Sequence, residues 1–302
     1  MRLAALLLAI SLAVGASAQQ PDFSKVEIVT TPLTPGVAML VGAGGNIAVS
    51  TGEDGPVVVD DQFAPLAPKI VAAVRTLQDA PIRFVINTHH HFDHTGGNEA
   101  LGGGGALILA HANVRARLSQ EQVSQLRPEF KLPPSPKAAL PVVTFDDGVT
   151  LHWNGDTIRV AHVASAHTDG DSHVWFERAN VVHMGDTFVN GMFPFVDVES
   201  GGSIDGLIAS ANQVLARATP ETRIVPGHGP LATPDDLTRY RDMLLELKAR
   251  VAKGIASGQT REAFAASGPI ADLAELWGDG KSKGFLTPDQ VVTLVWMSLE
   301  GK

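Results

Sequence analysis

The 302-residue chain contains no cysteine and only one tyrosine, Tyr240. Without thiols there is no disulfide framework, no thiolate ligand and no cysteine nucleophile. Cationic runs are missing too. Lys and Arg number 23 against 32 Asp and Glu, a net charge of −9, and no basic stretch could follow a phosphate backbone, which argues against nucleic acid as a partner. Past the N-terminus no apolar segment reaches the roughly 18 residues of a membrane helix. Gly102 to Gly105 lack the Lys-Ser or Lys-Thr that would follow a phosphate loop and read as flexible surface.

The first residues are of another kind. Met1-Arg2 precedes an apolar run from Leu3 to Val14, closed by Ala16-Ser17-Ala18, the layout of a secretory signal peptide over residues 1–18. The run is too short to serve as an anchor. Cleavage after Ala18 leaves 302 − 18 = 284 residues, with 22 basic groups against 32 acidic ones and a net charge near −10. Residues 19–302 read as one domain, expected in the periplasm or secreted, with no stable membrane insertion and no cysteine to carry a lipid. The oligomeric state is open.

Short apolar runs broken by glycine turns between Val26 and Asp60 read as an antiparallel meander. Ile70, Val71, Val74 and Leu77 place a helix over Ala67 to Leu77, and Ile82 to Ile86 returns as a buried strand. Another strand is expected at Ala106 to Ala110 and a helix at Ala112 to Leu126. The proline-rich stretch Arg127 to Pro141 suits neither and reads as a surface loop or lid. Strands follow at Val142–Phe145, Thr150–Trp153, Thr157–His162, His173–Phe176 and Asn180–His183, then a helix at Ile204–Ala216, a short strand at Ile224–Val225 and a helix at Pro234–Ala256. Strands followed by helices, twice over, imply an α/β (α+β) fold of two packed sheets with helices outside. The part after Ala256 carries no clear assignment.

The strongest signal is His89-His90-His91-Phe92-Asp93-His94, filling the pattern His-x-His-x-Asp-His directly after a strand. Residues two apart in an extended loop project to one side, so His89 and His91 can grip one metal. Asp93 and His94 then point to a neighbouring position at the start of a helix. Imidazoles with a carboxylate suit zinc. Three further motifs each follow a strand: Ala166-His167-Thr168-Asp169-Gly170-Asp171, Met184-Gly185-Asp186-Thr187, and Gly227-His228-Gly229. Glycines on both sides let the backbone present His228 closely.

In these four motifs, from about Val37 to Pro230, the chain resembles the metallo-β-lactamase superfamily. The resemblance implies a four-layer αββα sandwich binding two Zn2+ per chain. It implies His89, His91 and His167 on the first zinc, Asp93, His94 and His228 on the second, and Asp186 as the bridge. It also implies a hydrolase in which metal-generated hydroxide attacks an activated carbonyl (lactam, lactone, ester or thioester) of a small-molecule substrate, with Asp93 as the catalytic residue that orients the nucleophile and passes on a proton. The sequence departs from the antibiotic-degrading members in two ways. They have Cys or Ser where Asp186 stands, and some carry a Lys soon after it, where this chain has Thr187, Phe188, Val189 and Asn190. Export still favours a β-lactamase-like substrate. The alternatives are a glyoxalase II-like thioesterase or lactonase, and an iron-dependent, persulfide dioxygenase-like oxidoreductase. Loss of catalysis in a metal-binding protein is a third reading, which the filled ligand positions oppose.

Other residues weigh less. His90 alternates away from the ligands and reads as structural or as a substrate contact. His162, His173 and His183 read as packed, hydrogen-bonded histidines. Asp60 ends a strand, where a carboxylate that steadies the metal loop and an ordinary turn cap are equally good readings. Met192 to Val196 reads as a pocket wall or as core.

Overall fold

The structure, a computed structural model, describes residues 22–123, 131–280 and 283–301. The expected signal peptide lies outside the described residues. In chain order the first half comprises β1 (Val29–Thr34), β2 (Val37–Val41), β3 (Ile47–Ser50), β4 (Val57–Val59), α1 (Ala67–Leu77), β5 (Phe84–Ile86), α2 (Phe92–Thr95), α3 (Asn98–Gly103), β6 (Leu107–His111), α4 (Ala112–Leu118), β7 (Gln122–Val123), β8 (Lys131–Leu132) and β9 (Val143–Phe145). The second half comprises β10 (Gly148–Trp153), β11 (Asp156–His162), β12 (Ser172–Phe176), β13 (Val181–His183), α5 (Ile204–Arg217), β14 (Arg223–Val225), α6 (Pro234–Ala256), α7 (Arg261–Ala266), α8 (Ala274–Trp277) and α9 (Pro288–Glu300).

Seven strands form one sheet in the order β1-β2-β3-β4-β5-β6-β9, and five form another in the order β10-β11-β12-β13-β14. Alternation along each strand decides what lies between them. Val57 and Val59 of β4 face Val174 and Phe176 of β12 in the core between the sheets. Val58 points the other way, onto Ile70 and Val74 of α1. On the far side, Val182 and Ile224 pack beneath Leu207 of α5, Leu244 of α6 and Val295 of α9. The layers are therefore α, β, β, α, as expected. Among the described residues, no helix is long and apolar enough to cross a membrane.

The direction of the strands positions the site. β4 and β5 are parallel neighbours in the first sheet, and β13 and β14 are the only parallel pair described in the second. Each pair delivers two loops side by side at its C-terminal end. β11 runs the same way as β13, since both lie antiparallel to β12, so the loop after it opens at that end too. Hydrogen bonds from Ser172 N to Thr88 O (2.8 Å) and from Asn46 N to Gly227 O (2.7 Å) tie the sheets together there.

Three expectations need correction. The helix expected through Leu126 stops at Leu118, where Ser119 Oγ donates to the Arg115 carbonyl (2.7 Å). Val114 and Leu118 pack on the core, whereas Val123 is exposed; residues 124–130, the end of the expected helix and the start of the expected loop, lie outside the described residues. The chain turns instead into β7, which pairs with β8 inside the stretch expected to be a loop. The glycine run at Gly102 also holds the end of a helix, α3, that its composition concealed. After Ala256, α9 starts at a capping box, with Thr287 and Gln290 bonding reciprocally and Pro288 in the first turn. It buries Val291, Val292, Val295 and Trp296.

Candidate metal centre

The end of β5 carries the histidine run. His91 is the N-cap of α2, so Asp93 and His94 lie in its first turn. The seven residues singled out in the sequence meet at one place. Donor atoms of His89, His91 and His167 lie within 4.8 Å of one another, as do those of Asp93, His94 and His228, and those of His89, His94 and Asp186.

Most of these imidazoles turn one nitrogen to the cluster and the other to an anchor. His94 Nδ1 lies 2.7 Å from Asp60 Oδ2, leaving Nε2 3.2 Å from His228 Nε2 and 3.2 Å from Asp186 Oδ1. His167 Nδ1 donates to the Phe195 carbonyl at 2.7 Å, while its Nε2 lies 2.9 Å from His91 Nδ1. His91 Nε2 meets Asp197 Oδ2 at 3.0 Å. His89 Nδ1 meets Thr88 Oγ1 at 3.0 Å, and its Nε2 is buried with no hydrogen-bond partner among the described residues. Such outer anchoring fixes ring orientation and tautomer in metal sites. Asp93 Oδ2 lies 3.2 Å from His228 Nε2, and Asp186 Oδ2 lies 3.5 Å from it.

The charges suit a cation. Burial and the neighbouring imidazoles push His89 well below the usual histidine range, and His167 down to about 4, so both are neutral with lone pairs free. Burial also works against charge on His94 and His228, but Asp186 and Asp93 outweigh it and hold His228 up at about 9, so a metal bound there would displace the protons these two imidazoles carry between the carboxylates. Burial would raise Asp93, yet His94 and His228 bring it down to about 2. Converging nitrogens at 2.9 to 3.2 Å, an orphaned His89 Nε2 and ionised Asp93 and Asp186 make a donor set of the kind that holds metal ions.

Asp60 resolves to the first of its two readings. It is buried at φ 63°, and its carboxylate accepts from Thr88 N and Thr88 Oγ1, each at 2.7 Å, besides meeting His94. A non-glycine residue in that region is uncommon and persists where several contacts hold it. Asp171 fixes the His167 loop, accepting from His167 N (2.6 Å) and from Thr168 N and Oγ1 (2.8 and 2.6 Å). Gly227 is needed for close approach, because a Cβ there would stand 1.9 Å from Asp186 Oδ1. Gly45 similarly leaves room for the His94 ring.

His162, His173 and His183 behave as packed residues. His173 Nε2 meets Thr187 Oγ1 and Ser210 Oγ at 3.0 Å each, and His162 Nδ1 donates to the Asp171 carbonyl at 2.9 Å. His183 holds Asn46 O and accepts from Gly185 N, which steadies the Asp186 turn. His90 is buried, with its ring 4.6 Å from that of His91, and faces the cavity over the cluster. Phe195 and Val196 line that cavity, while Phe193 is core. Tyr240 is buried against Phe188. Sequence reasoning missed Asp197 and Asn46, whose Nδ2 donates to Pro226 O and Gly229 O. Neither has a local signal, since the partner lies over a hundred residues away.

Comparisons with known proteins give the family and the fold. Residues 33–228 match the family model described as "Metallo-beta-lactamase superfamily". A "Hydroxyacylglutathione hydrolase" of Polaromonas sp. (strain JS666 / ATCC BAA-500) is 27% identical over 192 residues, which is 61% of this chain and 61% of that protein. The chain thus spans under two thirds of that relative. Among solved structures, "Metallo-beta-lactamase from Pontibacter korlensis" superposes with a TM-score of 0.59 at 16% identity, covering 72% of this chain and 99% of the other. The "stereoselective inverting sec-alkylsulfatase Pisa1 from Pseudomonas sp." gives 0.63 at 15% identity, covering 91% and 50%. At such identities the structural likenesses speak to fold alone.

Proposed function

The chain belongs to the metallo-beta-lactamase superfamily, and from that premise we propose that it is a dinuclear zinc hydrolase of an activated carbonyl in a lactam, lactone, ester or thioester. The observation that carries this is the pair of donor trios, His89/His91/His167 and Asp93/His94/His228, with Asp186 between them and within reach of His94, His167 and His228. A zinc pair supplies Lewis acidity and hydroxide at neutral pH.

The protein's own groups do the rest. The cavity opens over His91, Asp93, Asp186 and His228, so a carbonyl approaches from that side, with His89, His94 and His167 behind. Of the ionised carboxylates on that face, Asp93 lies in the first turn of α2 with its Oδ2 3.2 Å from His228 Nε2. It orients the attacking water, takes its proton and returns it to the leaving atom, which spares the protein a side-chain nucleophile. Asp60 and Asp197 hold His94 and His91 in place. The likeness to hydroxyacylglutathione hydrolase keeps a thioester within the substrate class. Export of the mature chain, after loss of residues 1–18, completes the proposal, and N-terminal sequencing of the expressed protein tests it.

The enzymatic test is elemental analysis of the purified protein beside initial rates on nitrocefin, a lactone, a thioester and a phosphodiester. About two zinc per chain and chelator-sensitive turnover of a carbonyl substrate are expected. One iron per chain without hydrolysis would overturn the proposal in favour of an oxygenase.

A further inference from the structure

Over the cluster lies a cavity of about 590 Å³, within the range of roughly 300–1,000 Å³ that holds small-molecule ligands. Its lining joins polar groups, Asp93, Asp186 and His228 among them, to an apolar wall. Phe285, Leu286, Leu294 and Met297 line it together with Phe195 and Leu132. The first four lie beyond residue 228, where the match to the family ends, so this wall belongs to the part of the chain that the family pattern does not describe. Phe285 is 55% exposed, yet its ring sits edge-on against His228 with centroids 4.8 Å apart. A large apolar side chain held half in water beside a reactive centre offers surface that a ligand can cover.

Charge around the cavity points the same way. Arg261 is the one Lys or Arg among the lining residues, and its guanidinium pairs at the surface with Glu262 at 2.9 Å. Asp197 and Glu199 also line the space. A glutathione thioester would bring two carboxylates; the proposed metals and His228 would meet charge at the cluster, but along the Phe285 wall Arg261 is the one guanidinium, and burying a carboxylate there without a partner is costly. An uncharged molecule has no such cost and gains from the apolar wall.

We infer that the substrate presents its carbonyl on an uncharged apolar arm lying along the Phe285 wall, and that Phe285 is a specificity-determining residue. This rests on the hydrolase reading for the chemistry, but its binding component can be measured separately. Each buried CH2 is worth about fourfold in affinity, so kcat/KM should rise at least about tenfold from p-nitrophenyl butyrate to the octanoate. The glutathione thioester should be the poorer substrate. In Phe285→Ala the chain-length gain should collapse, and in Phe285→Leu it should largely return.

Binding is read without turnover by displacing the fluorophore N-phenyl-1-naphthylamine from the zinc-loaded protein with 2-butanone or 2-decanone, which carry a carbonyl but no leaving group. Tighter binding of 2-decanone, lost in Phe285→Ala, supports the inference even if no ester is turned over, and in that case it is the hydrolase reading that falls. Equal binding of the two ketones, or a glutathione thioester preferred over the octanoate, overturns it.

Discussion

At the scale of single residues, Asp60 shows how much of a metal site lies outside the ligands. Its two oxygens satisfy Thr88 and His94 together, so Asp60→Asn should keep the shape, since Asn also tolerates positive φ, but lose the charge that orients His94. Metal affinity is expected to fall about 10–100-fold, measured by competition with a chromogenic chelator; unchanged affinity would reduce Asp60 to a turn cap. His173 makes a different prediction. Burial pushes it down to about 3, so as pH falls from 6.5 the unfolded chain takes up a proton that the folded chain refuses. The stability from keeping it neutral is complete above about 6.5 and drains away toward pH 3, by up to about 1.4 kcal/mol per pH unit. Urea midpoints between pH 7 and 5 should therefore drop more steeply in the parent protein than in His173→Gln. Parallel slopes would show that His173 titrates normally.

At the scale of elements, the loop after β14 and the helix α9 carry the predictions. Gly227 leaves no room for a Cβ beside Asp186 Oδ1, so Gly227→Ala should displace Asp186 and lower the bound zinc below two per chain. Retained helix content by circular dichroism would separate this from unfolding. The capping box of α9 at Thr287 and Gln290 is legible in Thr-Pro-Asp-Gln, and Thr287→Ala is expected to cost about 1 kcal/mol in urea unfolding. Elements whose apolar spacing matched a buried face were readable: α1 and α6 fall where their periodicity puts them. The helix ending at Leu118 was not, because whether Val123 has anything to pack on depends on a neighbour that local spacing does not reveal.

For the whole molecule, the centre joins two sheets. His89, His91, Asp93 and His94 follow β5 of one, while His167, Asp186 and His228 come from loops of the other. Metal bound there favours the folded state over the unfolded one by mass action, about 2.7 kcal/mol at a hundredfold excess over Kd. Chelation should therefore lower the thermal midpoint, and zinc should restore it. An identical midpoint with and without zinc would mean that the seven side chains hold no metal.

The residue types of the seven candidate donors and the order of their motifs are determined by the sequence, each motif beside a strand marked by its own apolar run, and their assignment as ligands is what the family resemblance implies. Apolar alternation likewise settled the two sheets and the helices outside them. Only the tertiary structure decided which side chains stand behind the donors, because Asp60, Asp197 and Asn46 meet partners that are remote along the chain and near only after the sheets pack. It also decided what lies in front. The Phe285 wall comes from a segment whose residues look like ordinary amphipathic helix and turn until α9 docks beneath α6, and the cavity exists only between elements that no local pattern connects.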